Sequence, residues 1–168
     1  MTRLAMLFVV LLVALAGGCS GPPSDGRFSF TGPPRASFPP VSDALAARCG
    51  SVDCHGVAAR NLRVYGANGL RINGVTGQGA TTQEEYDATY TSVVSIDPEV
   101  LAIVLQEGGF AAERWIVISK GGGHEAHKGG TAMPLGSVSD RCVRSWVRGA
   151  VDQAACLEAS EFLAPEAP

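Results

Sequence analysis

Cys49-Gly50-Ser51-Val52-Asp53-Cys54-His55 is the stretch from which the rest of the chain is read. Two thiols and an imidazole stand in the order that covalent haem attachment requires. Each thiol can add across a haem vinyl group to form a thioether, and the histidine after the second cysteine can reach the iron as proximal ligand. The usual spacing is C-x-x-C-H, whereas here four residues separate the cysteines. Such a loop is still compact enough to face both sulfurs to one porphyrin edge. Two other readings stay open on these residues alone. Cys49 and Cys54 can close a small disulfide loop beside an ordinary His55, or the three side chains can contribute to a zinc site.

The 168 residues leave room for one domain with extensions. Leu4 to Leu15 is an unbroken apolar run behind a single charge, Arg3, too short to span a membrane and suited to a signal peptide. Leu15-Ala16-Gly17-Gly18-Cys19 follows and resembles a bacterial lipobox, which implies a diacylglyceryl thioether on Cys19. Ordinary signal-peptidase cleavage near Gly18 is the alternative. Residues 1–18 are therefore expected to be a lipoprotein signal peptide. The mature chain is expected to be exported to the bacterial cell envelope, anchored in the membrane through its N-terminal lipid, facing the periplasm or the cell surface.

Export changes the cysteine arithmetic, because an oxidising compartment favours disulfides and thioethers over free thiols and thiolate zinc. With Cys19 lipidated, four cysteines remain. Either Cys49 and Cys54 take haem while Cys142 and Cys156 form a disulfide, or all four pair and there is no haem. The mature chain keeps 12 of the 13 basic residues and all 16 acidic ones, so its formal charge is −4, which argues against nucleic acid as a partner. Beyond residue 40 the large aromatics are only Phe110, Phe162, two Trp and three Tyr. Such a domain has a thin core of its own, which either a buried haem or disulfides would supplement.

Residues 19–40 are rich in Pro, Gly and Ser and read as an extended tether. Phe28, Phe30 and Phe38 within it leave room for part of the tether to pack on the domain. The domain is expected over 41–158, with a flexible tail over 159–168. Ser42 reads as the N-cap of a short helix, Ala44 to Arg48, that runs into Cys49. Asn61 to Tyr65 and Leu70 to Ile72 read as two short extended pieces around a Gly turn, and Gly74 to Thr81 as a loop. A capped helix is expected over Gln83 to Ser95, with Tyr86, Tyr90, Val93 and Val94 on one face and Glu84, Glu85 and Asp87 as N-terminal charges without catalytic pairing. Asp97-Pro98-Glu99 restarts a helix that ends at Gly108-Gly109. Ala112 to Lys120 fits either helix or strand. Gly121 to Gly136 is a loop carrying His124, His127, Met133 and Pro134. The last helix begins near Ser139. Cys142 and Trp146 lie on its inner stripe, and Arg141, Arg144 and Arg148 on a solvated edge.

A short helix, an attachment stretch, loops, a second iron ligand and a closing helix follow one another in that order. With it the chain resembles class I cytochrome c domains. It is most similar to the divergent single-haem domains of secreted planctomycete and myxobacterial proteins. The residues that carry the likeness are Cys54-His55-Gly56, Leu62-Arg63-Val64, His127-Lys128-Gly129-Gly130 and Trp146-Val147-Arg148-Gly149-Ala150, within residues 40 to 152. The likeness implies a mainly α, cytochrome c-like fold with short N- and C-terminal helices and long Gly-rich loops. It implies covalent haem c on Cys49 and Cys54, with His55 as proximal axial ligand. The distal ligand is either His127, from the His-x-Gly-Gly element, or Met133, from the Met-Pro pair. His124 reads as a bystander. The family picture places Trp146 where the first and last helices cross, near Leu45.

The function so implied is one-electron transfer with a redox protein partner, without enzymatic catalysis. The alternative is a haem-free envelope lipoprotein stapled by two disulfides, with a binding or structural role. A third reading, if neither His127 nor Met133 ligates, is a sensor whose open iron position binds a small ligand.

Overall fold

The computed structural model describes residues 30–67, 69–72 and 79–161. The signal peptide, Cys19 and the tether up to residue 29 lie outside the described residues. So do most of the Gly74 to Thr81 loop and the tail from Phe162 onward. Among the described residues there are six α-helices and no strand. The chain is mainly α, as expected.

Helix α1 (Pro39–Cys49) begins where the tether was expected to continue. Pro39 and Pro40 occupy its first two positions, where a missing N–H costs nothing and a fixed φ is an advantage. The pair that reads locally as polyproline thus opens a helix. Ser42 is not its cap. It sits inside α1, fully buried, and its hydroxyl has no hydrogen-bond partner among the described residues.

Phe38, the residue before α1, is buried and forms the centre of the core with Tyr90 and Trp146. Its ring centroid lies 5.4 Å from Tyr90 and 4.8 Å from Trp146. Residues 33 and 34 are held by the same two aromatics. The Tyr90 hydroxyl donates to Pro33 O (2.8 Å) and the Trp146 indole to Pro34 O (3.1 Å). The end of the Pro-rich segment is therefore part of the folded body.

Among the described residues of 61–72 there are no paired extended pieces, only an isolated bridge between Tyr65 and Leu70. Helix α2 (Gln83–Val94) starts with a capping box. Glu85 N donates to Thr82 Oγ1 (3.3 Å), and Thr82 N donates to Glu85 Oε2 (2.9 Å). Glu85 is also buried against Arg71 (2.6 Å), so it is more than an N-terminal charge. Helix α3 (Pro98–Gln106) starts on its proline and buries Leu101 and Val104. A single 3₁₀ turn, Ala112–Arg114, leads into α4 (Ile116–Gly121), which settles the ambiguous stretch as helix.

Helix α5 (Val138–Val147) is capped by Ser137, and α6 (Gln153–Ser160) by Asp152. No sequence signal had been assigned to α6, whose span overlaps the expected tail. It packs on α1 and α5. Cys142 and Cys156, both fully buried, are joined in the expected disulfide between α5 and α6. Gly149 makes the turn between them at φ +83°. The expected solvated arginine edge holds for Arg141 and Arg148 but not for Arg144. Arg144 is buried and donates to Asp140 (2.7 Å) and Glu113 (3.1 Å), tying α5 to the 3₁₀ turn.

Candidate cofactor site

Helix α1 delivers Cys49 to a loop closed by its own backbone. Cys54 N donates to Ser51 O (3.0 Å), Gly56 N to Ser51 O (2.9 Å) and His55 N to Cys49 O (2.9 Å). The last bond folds the four-residue spacer back, so the long loop returns to where it began. Two glycines make that possible. A Cβ at Gly56 or at Gly69 would collide with the Gly50 carbonyl. The Arg60 guanidinium pins the outer turn, donating to Cys54 O (3.1 Å) and Asp53 O (3.4 Å).

Cys49 and Cys54 are free thiols, each partly buried. Burial pushes the Cys49 thiol up to about 12, with Cys54 adding to the rise and Arg48 opposing it. The group is a neutral thiol at ordinary pH. Burial also lowers the His55 pKa. Its bond to Leu62 opposes the drop, and His127 and Arg60 add to it. His55 is thereby kept in the neutral form that can ligate a metal.

Of the expected haem-binding residues, all but Cys54 converge. Cys49, His55, His127 and Met133 line one cavity of about 520 Å³. Its walls include Leu45, Leu62, Ile96, Ile116 and Val117, and Arg60 and Lys120 also line it. The volume lies in the roughly 300–1,000 Å³ range of cofactor and ligand pockets. A larger depression of about 800 Å³, beside Arg35, Arg63, Glu84 and Asp87, is a polar surface groove without cysteine or histidine. It shares only Asn61 and Ile96 with the cavity.

The rings of His55 and His127 are parallel within 9°, with centroids 5.9 Å apart. His55 Nδ1 lies 3.0 Å from Leu62 O, and His127 Nδ1 lies 3.0 Å from Gly130 O. A carbonyl only accepts, so each Nδ1 carries a proton, and Nε2 is the ring nitrogen left for a metal. Anchoring one ring nitrogen to a carbonyl is how metal-binding histidines are oriented. The two rings are stacked.

Met133 lines the same cavity but is buried against Gly121, which has no Cβ to obstruct its methyl group. Its backbone N donates to Gly121 O (2.9 Å). His124 is exposed and does not line the cavity. The two anchoring carbonyls, Leu62 O and Gly130 O, have no signature in the sequence. Arg60 and Lys120 belong to no motif in the sequence. Among the described residues, no group of three or more His, Cys, Asp or Glu is arranged to hold a bare metal ion, so the zinc reading has no preformed site there.

Two thiols and a histidine stand on one closed loop, and a second histidine is stacked on the first in a largely apolar cavity that Cys49 lines and Cys54 does not. No protein-family model, curated protein or solved structure matches the chain.

Proposed function

We propose that the chain is an exported, lipid-anchored, single-haem c-type cytochrome that carries out one-electron transfer in the cell envelope. The observation that carries this reading is the parallel His55–His127 pair in the cavity that Cys49 also lines. Cys49 and Cys54 would hold haem c through thioethers, His55 would be the proximal axial ligand and His127 the distal one. When bound, the haem supplies the one-electron couple between ferric and ferrous iron.

The protein's own part is positional. Leu62 O and Gly130 O orient the two imidazoles, the apolar walls exclude water, and Arg60 and Lys120 place positive charge at the cavity. His127 is preferred to Met133 because its ring is parallel to that of His55 and its Nδ1 is anchored, whereas Met133 is committed to the wall at Gly121. A redox protein is the natural partner, and no enzymatic step is required of these residues.

The test is a visible spectrum, oxidised and dithionite-reduced, of protein expressed with cytochrome c maturation machinery, followed by a pyridine haemochrome assay. The expected result is a reduced α-band that survives acid-acetone extraction, with a low-spin ferric spectrum lacking the far-red band of a thioether-ligated iron. That far-red band would transfer the distal role to Met133. A colourless protein without free thiols would refute the cytochrome and leave the haem-free, disulfide-stapled lipoprotein.

A further inference from the structure

His127 sits on an exposed loop at the edge of the cavity. Residues 124–130 form a compact Ω-type loop whose ends meet at Gly123 and Thr131. Gly123 at φ +80° and Gly130 at φ +71° turn the chain into and out of it. Apart from His127 itself, which is half-buried, its residues are exposed.

The two halves of the loop are held differently. On the near side, His124 N and Glu125 N donate to Ser119 O (2.9 and 3.3 Å). The Ser119 hydroxyl donates to Glu125 Oε1 (3.0 Å), and Lys120 Nζ reaches Ala126 O (3.3 Å) and Glu125 Oε2 (3.4 Å). On the far side, the bonds described close the loop on itself, from Gly130 N to His127 O and from His127 Nδ1 to Gly130 O. The His127 anchor therefore travels with the loop, whereas the His55 anchor, Leu62 O, belongs to a separate segment. Met133 lies beyond the neck, fixed by its bond to Gly121 O.

We propose, resting on the haem reading above, that residues 124–130 are a latch carrying the distal histidine. Glu125 holds it shut against Ser119 on α4, and its opening admits a small neutral diatomic ligand to the iron face of the cavity. Glu125 is a positioning residue, acting through His127. Its pairing with Lys120 is half exposed and contributes little. The bond from the buried Ser119 hydroxyl to the carboxylate is the stronger hold.

Carbon monoxide is the probe, mixed in a stopped-flow instrument with the dithionite-reduced full-length holoprotein. Binding should be slow and its rate should level off with carbon monoxide concentration, because latch opening limits it. E125A and S119A, which remove the two ends of one hydrogen bond, should each raise the plateau rate by about tenfold. E125Q, which keeps an acceptor, should fall between them and the parent. A plateau unchanged in both variants would overturn the latch, and so would a rate that rises linearly with concentration in the parent. Capture of the vacated position by Met133, seen as a far-red ferric band in E125A, would overturn ligand entry. A chain without covalent haem would remove the cytochrome reading and this inference together, whereas a normal haemochrome with unchanged kinetics would remove the latch alone.

Discussion

Replacing both cysteines of the α5–α6 disulfide, C142A with C156A, should lower stability by an amount that the loop length sets. The bridge closes a loop of sequence separation 14. On the chain-entropy model a loop of about 15 residues is worth about 3 kcal/mol, because the open chain regains that freedom when it unfolds. With an unfolding entropy of about 2.1 cal/mol/K per residue over roughly 130 ordered residues, Tm should fall by about 11 °C. Both sulfurs are fully buried, so truncation also leaves small voids, which push the same way and make this shift a floor. The assay is thermal unfolding followed by far-UV circular dichroism at matched haem loading. A fall of less than about 5 °C would refute the reasoning, and would mean that α6 holds its place on α1 and α5 through packing alone. The consequence reaches the site, because α1 delivers Cys49 to the cavity.

Three further outcomes follow from the packing. F38A should cost about 3–5 kcal/mol, read from the denaturant midpoint; a loss below about 1 kcal/mol would return residues 30–38 to the tether. G56A should lower the yield of covalent haem per chain, because a Cβ there meets Gly50 O; parental loading would refute the tight-loop account. Burial by itself would raise the Glu85 pKa, but Arg71 and the amides of Thr82 and Ile72 outweigh it and leave the pKa lowered. Its contribution to stability is therefore present above the unfolded carboxylate pKa of about 4.3 and is lost as pH falls through that value toward the folded one. E85Q should flatten that acid limb, and should cost about 1.5–3 kcal/mol at neutral pH by removing the charge that faces the buried Arg71, which keeps its bonds to Gly79 O and Ala80 O. An acid limb as steep as the parent's, in urea midpoints measured against pH, would count against this pair.

The amino-acid sequence by itself determined the features whose causes lie within a turn of chain. The cap before Gln83, Pro98 at the start of α3 and Gly149 at the turn after α5 are local backbone chemistry, and the first two stand where they were expected, whereas Glu85 had been read only as an N-terminal charge. The order Cys49, Cys54, His55 and the spacing of Cys142 from Cys156 are likewise legible without a fold. Only the tertiary structure decided which distant groups meet. Pro39-Pro40 reads as extended chain until Phe38 finds Tyr90 and Trp146. Arg144 reads as a surface charge until Asp140 and Glu113 close around it. His127 and Met133 are two candidates on one loop until packing sets the Met133 side chain beside Gly121 and stacks the His127 ring with that of His55. The reason is physical. Capping and turn preferences act over about four residues, whereas burial and the opposition of two imidazoles are set by packing between segments far apart in the chain, and no local pattern encodes which of them come together.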